Sequence, residues 1–84
     1  MKKIAVISAI LEKPNICQKE FNEVVSSFKV IVKGRMGVPF EEEDIAVISI
    51  TILGELNDIN SLTGKLGNIN HVLVKTAISK KEIE

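Results

Sequence analysis

The sequence predicts an α+β domain in which two helices lie on one face of a four-stranded antiparallel sheet. Three observations predict it. Four runs rich in Ile and Val read as strands, two stretches place apolar residues at helical spacing, and the turn residues between them set the order β-α-β-β-α-β. With 84 residues there is room for one small domain, and a chain this short buries only about 60–65% of its unfolded surface. Residues 3–78 are expected to form that domain, and residues 79–84 a charged, frayed tail.

The first strand is expected over residues 4–11, apolar at both parities as in a strand covered on two sides. Met1, Lys2 and Lys3 before it resemble the start of a secretory signal. The apolar run is too short for one, however, and Glu12, Lys13 and Pro14 stand where small cleavage-site residues belong. Pro14 stops the strand, and Asn15 is the expected helix N-cap with Gln18 at the capping-box position. Cys17, Phe21, Val24, Val25 and Phe28 then fall in one stripe of a helix whose other positions are polar.

A second strand is expected over residues 30–38. Val30, Val32, Gly34, Met36 and Val38 form its buried parity, while Lys33 and Arg35 face water. Long basic side chains suit an edge strand, where they discourage stray pairing. Pro39 and the acidic run Glu41, Glu42, Glu43 and Asp44 connect it to a third strand over residues 45–53, which Gly54 ends. The second helix is expected to be capped by Asn57 or Asp58, to bury Ile59, Leu62, Leu66 and Ile69, and to stop at Gly67 as its C′ glycine. Gly64 costs that helix about 1 kcal/mol relative to alanine, which suggests a close packing contact. The last strand is expected over residues 72–78, with Val72, Val74 and Ile78 on one face.

This order is the split βαβ, or ferredoxin-like, arrangement, with the first and third strands central and the second and fourth at the edges. Two short helices cover only one face of such a sheet. The other face of the first strand presents either Ala5, Ile7, Ala9 and Leu11 or Ile4, Val6 and Ile10, and both sets are apolar. A broad apolar patch marks an interface. The expected interface residues are Ile7, Ile31, Ile45, Val47, Ser49, Thr51 and Leu73, in a homo-oligomer that is a dimer or a dimer of dimers.

The sequence offers little chemistry beyond binding. Cys17, the only thiol, lies on the apolar helix stripe and reads as buried and inert. His71 is the only histidine, so no metal site and no catalytic set of Ser, His and Asp is expected. The acidic run lacks the spacing of a calcium loop and reads as a solvated turn. Gly34 with Gly37, and Gly64 with Gly67, lack the strand–glycine loop–helix order of a nucleotide fingerprint. The three phenylalanines are not on strands, which argues against RNA stacking on the sheet. Eleven basic and eleven acidic residues give no basic surplus for nucleic acid or an anionic membrane. The lone cysteine suits a reducing cytoplasm, which is the expected location. No enzyme activity and no cofactor are expected.

Three segments carry a resemblance: Arg35-Met36-Gly37-Val38-Pro39, Leu62-Thr63-Gly64-Lys65-Leu66-Gly67 and Val72-Leu73-Val74-Lys75-Thr76. In their order and spacing the chain resembles small bacterial proteins described as iron-only hydrogenase system regulators. Those are related to ACT domains and to the C-terminal domain of the nickel-responsive repressor. The resemblance implies a ferredoxin-like fold, oligomer formation and a regulatory role in transcription or in a hydrogenase system. ACT domains dock an amino acid at a subunit interface beside the loop after the first strand. The matching loop here is Leu11, Glu12, Lys13, Pro14 and Asn15, without the usual glycine, and it is the expected site for a small-molecule effector. The repressor's nickel ligands have no matching set here. Nothing precedes the first strand to serve as a DNA-reading module, so any effect on transcription is expected to need a partner protein. The reading is thus a non-catalytic, oligomeric, ACT-like regulatory domain. The alternative is a structural protein-interaction module that takes no small ligand.

Overall fold

The computed structural model describes residues Met1–Glu84. In chain order the elements are β1 (Lys2–Glu12), α1 (Pro14–Ser26), β2 (Val32–Phe40), a single 3-10 turn (Glu41–Glu43), β3 (Ile45–Glu55), α2 (Leu56–Gly67) and β4 (Val72–Ile83). The strands form one antiparallel sheet in the order β2-β3-β1-β4. This is the ferredoxin-like α+β arrangement, with β1 and β3 central as the sequence predicts.

The two helical stripes decide which side of the sheet is covered. Cys17, Phe21 and Val25 from α1 join Ile59, Leu62 and Leu66 from α2 in one buried cluster. Beneath them lie Ala5, Ile7, Ala9 and Leu11 of β1 and Ile48, Ile50 and Ile52 of β3. The register sets Ala5 opposite Ile52, Ile7 opposite Ile50 and Ala9 opposite Ile48, so small and large side chains alternate along β1 beside an unbroken row of isoleucines on β3. No polar side chain is buried. At roughly 25 cal/mol per Å² of apolar surface, burying these residues is the main force holding the helices down.

This resolves the parity of β1 and corrects one interface residue. Ile7 is fully buried under the helices and cannot meet a second chain. Ile31 is the other correction. It precedes β2, packs half-buried against the core and lies over Gly54, where an added Cβ would stand 3.0 Å from Ile31 Cγ2. Its carbonyl accepts the Leu53 N–H at 3.0 Å, so it extends the sheet by one bond without joining the ladder.

β2 begins and ends two residues later than its alternation predicts, leaving Val30 82% exposed in the preceding turn. A turn in which Ile31 N–H bonds Phe28 O at 3.0 Å holds Val30 out of the strand, and a register shift follows between Val32 and Gly34. An irregularity of this kind exchanges the faces of all that follows it. Val32 pairs with Ile52 on the inner face, whereas Met36 and Val38 pair with Ser49 and Val47 on the outer one. Arg35 and Gly37 pair with Ile50 and Ile48 and so turn toward the helices.

The remaining differences lie at element ends. β4 runs on to Ile83 instead of fraying at residue 79, because β1 starts early enough to pair Lys2 with Ile83 and Lys3 with Glu82. A second irregularity, between Lys3 and Ala5, absorbs the extra residues. α1 starts at Pro14 without a side-chain cap, and α2 follows β3 directly with Glu55 at its uncapped N-cap position. Proline at the first helical position lacks only an N–H that would have no helical partner. Gly67 closes α2 from within, and Gly64 has open space around it instead of the close contact its position suggests.

Candidate functional site

Two features stand out: a groove beside the start of α1, and the uncovered outer face of the sheet.

The groove has a volume of about 420 Å³. Pro14, Asn15 and Gln18 of α1 form one wall. Gly37 and Pro39 of β2, with Ala46 and Ile48 of β3, belong to the inner face of the sheet and form its floor. Val38, Phe40 and Ile45 carry the lining around the rim to the outer face, and Arg35, Glu41 and Asp44 supply its charge. Gly37 leaves that floor without a side chain, where an added Cβ would meet only Ile48 Cγ1, at 4.0 Å.

Of the expected effector loop, only Pro14 and Asn15 line this groove. Leu11 is fully buried in the core and cannot touch a ligand, since the inward parity of β1 includes it. Glu12 and Lys13 are exposed outside the lining. Their backbones instead tie the strand ends together: Glu12 N–H donates to His71 O at 2.7 Å and Lys13 N–H to Asp44 O at 3.0 Å. Lys13, Asp44 and His71 all adopt left-handed backbone conformations, with φ of 63°, 55° and 71°. They gather at one end of the sheet because β1 ends where its antiparallel neighbours β3 and β4 begin.

Sequence reading takes Arg35, with Lys33, for a solvated edge charge that could at most hold an anion. Alternation places it on a wet face, but the shift before it turns it inward. Its Nη2 donates to Asn22 Oδ1 at 2.6 Å, and its guanidinium lies 5.6 Å from the centre of the Phe21 ring. The signal was available in Gly34, since a lone glycine in a strand often marks a bulge. The only ion pair in the structure joins the Met1 amino group to Glu55 at 3.3 Å, so Arg35, Glu41 and Asp44 carry uncompensated charge. At the start of α1, Lys13 N–H bonds Asp44 O, Ile16 N–H bonds Lys13 O and Pro14 has no N–H, so the helix end adds the Asn15 N–H and a partial positive charge. The groove therefore offers cationic and acidic surface along one apolar floor. That arrangement can bind, and it holds no nucleophile paired with a base.

Cys17 lies beneath this wall, with its thiol 3.8 Å from Glu12 O and 3.7 Å from Lys13 O. Burial pushes the thiol pKa up, and the nearby Glu20 carboxylate pushes it further, opposing the partial compensation from the backbone hydrogen bond. A reactive cysteine needs the reverse. No three His, Cys, Asp or Glu side chains converge as a metal site would require.

The outer face carries Ile45, Val47, Ser49, Thr51 and Leu73, the remaining expected interface positions. Ile4, Val6 and Ile10 join them at about 40% exposure, and Met36, Val38 and Phe40 extend the apolar surface to the β2 edge. The register shift in β2 placed Met36 and Val38 on this side, against the sequence reading, and Phe40, expected in the connecting turn and off the strands, is instead the last residue of β2. No helix is long and apolar enough to cross a membrane.

No curated protein matches the chain. Among solved structures, uncharacterized protein TM1266 from Thermotoga maritima superposes with a TM-score of 0.91 at 30% identity, over 95% of this chain and 100% of that one. The C-terminal domain LarC2 of a cyclometallase involved in synthesis of the NPN cofactor of lactate racemase, in its apo form, gives 0.49 at 18% identity, over 95% of this chain and 58% of that one. The family model TM1266-like, described as "Iron-only hydrogenase system regulator, putative", matches residues 3–76. With the fold, the identity and the matched length in agreement, the chain belongs to the TM1266-like family.

Proposed function

We propose that this protein is a non-catalytic regulatory domain that self-associates through its outer sheet face and takes a small effector in the groove beside α1. One observation carries the reading: the groove and the outer face share β2 and β3. Val38 and Ile45 rim the groove while their side chains belong to the outer face, and Gly37 and Ala46 beside them form the groove floor. A molecule that shifts this edge of the sheet therefore acts on the surface through which copies meet. A ligand can bias such an equilibrium only by its differential affinity for the two states. The family description supports a role in regulation, and the lack of paired catalytic groups supports binding without turnover.

The effector's chemistry follows from the lining. An anionic group fits Arg35 and the start of α1, a cationic or N–H group fits Glu41 and Asp44, and an apolar body fits between them. Thermal unfolding with amino acids, nucleotides and metal salts in turn tests this. One class should raise Tm in proportion to the logarithm of its concentration above Kd, and Arg35→Ala should remove the rise. No shift with any class would favour the second reading, a protein-interaction module. That reading rests on the open β2 edge, where Met36 is 64% exposed beside Val38 and Phe40. Open strand edges accept an added strand from a partner.

A further inference from the structure

Ladder register divides the outer face into rows. One row runs Val38, Val47, Ile10 and Leu73 across all strands of the sheet. The next holds Met36, Ser49, Ser8 and Lys75, and the one beyond it Gly34, Thr51, Val6 and Ala77. In the β2, β1 and β4 columns, the first row carries the larger residue and the third the smaller. In β3 the two are nearly equal in volume. The serine row lies midway.

We propose that two copies pack these faces together about a two-fold axis lying along the serine row. This rests on the reading that the chain self-associates, and it fixes how. Rotation about that axis keeps each strand over its own counterpart and exchanges the outer rows. Leu73 then faces Ala77 of the second copy, Ile10 faces Val6, and Val38 faces Gly34. Large-to-small contacts in three columns fill the space between sheets about 10 Å apart. An axis parallel to the strands does the reverse. It sets large on large in one row and small on small in the other, leaving a gap. Ser8 and Ser49 lie on the axis opposite their own counterparts, where the space between sheets about 10 Å apart admits a water bridging each pair of hydroxyls.

Area and charge both admit a second copy as the occupant. Four strands spaced ~4.8 Å apart, with about eleven residues rising ~3.3 Å each, present roughly 700 Å² per copy. Two such faces reach about 1,400 Å², within the range of stable interfaces. The chain carries no net charge, with eleven basic and eleven acidic residues, so two copies do not repel as wholes. Lys75 is the one charged residue in the three rows; on the axis it meets its own counterpart, and its place on the edge strand β4 lets the two stems carry their ammonium groups apart into water.

The test is an exchange of sizes, read by sedimentation equilibrium and light scattering, with circular dichroism to confirm folding. Ala77→Leu alone should weaken dimerisation roughly tenfold or more, the scale of an overpacking penalty. The double variant Leu73→Ala with Ala77→Leu restores large against small and should recover most of the lost affinity. Both positions are exposed, so neither change disturbs the core. A native chain that stays monomeric at all concentrations overturns self-association itself. A dimer that Ala77→Leu leaves intact, or that the double variant fails to rescue, overturns only this arrangement.

Discussion

The two faces of the sheet are built from nearly the same residues and differ in what lies over them. On the inner face Ile7, Ile50 and Ile52 are fully buried, whereas Ile4, Val6 and Ile10 on the outer face of the same central strands remain about 40% exposed. Strand chemistry alone does not distinguish the sides. The difference arises because both helices carry their apolar stripes to one side, and right-handed crossovers require them to share it. The inner face therefore serves stability, and the outer face is the one that the proposed self-association would use. Substitutions on the two sides should separate these effects.

Ile50→Ala should show the inner face at its most sensitive. It removes a fully buried side chain from the middle of β3 and should cost about 2–5 kcal/mol, read as a lower urea midpoint at unchanged slope. A loss below about 1 kcal/mol would mean that the core tolerates a cavity there. Gly54→Ala should come next. Its new methyl would stand 3.0 Å from Ile31 Cγ2 and 3.1 Å from Ile31 Cβ, close to the backbone where little can yield. Such overpacking costs about 1–3 kcal/mol. An unchanged midpoint would show that the Ile31 turn moves freely.

Gly64→Ala should act in the opposite direction. Nothing lies within 4 Å of an added Cβ there, so the helix gains about 1 kcal/mol without a clash. A rise in Tm is the expected reading. Ile10→Lys on the outer face should change the stability of a single copy by under about 0.5 kcal/mol while abolishing self-association in light scattering. A large loss of stability in the isolated chain would break the division between faces.

The smallest effect should come from alkaline pH. The Cys17 pKa is raised above 9.0 by burial first, so the folded state holds the thiol proton more tightly than the unfolded state does. That contribution is complete below the unfolded pKa and is lost as pH rises through the folded one. Stability should fall slightly above about pH 9, and a Cys17→Ala variant should lose that part of the slope.

The fold was largely legible in the sequence because strand parity and helix spacing are local patterns. All four apolar positions assigned to α2, from Ile59 to Ile69, are buried as expected. The site was much less legible. Pro14 and Asn15 line the groove, but Leu11 of the same loop is in the core, because face assignment needs the helices in place. Arg35 was hidden by one extra residue in β2 that period-two reasoning cannot carry across.

Pattern and turn residues by themselves determined the order of elements, the helical stripes and an apolar surplus too large for one sheet face. Tertiary structure alone decided which parity of β1 meets the helices, how far β4 runs, and where the register of β2 breaks. The reason is physical. Periodicity is set by each segment's own backbone geometry, whereas register and coverage depend on hydrogen bonds and contacts between segments distant in the chain.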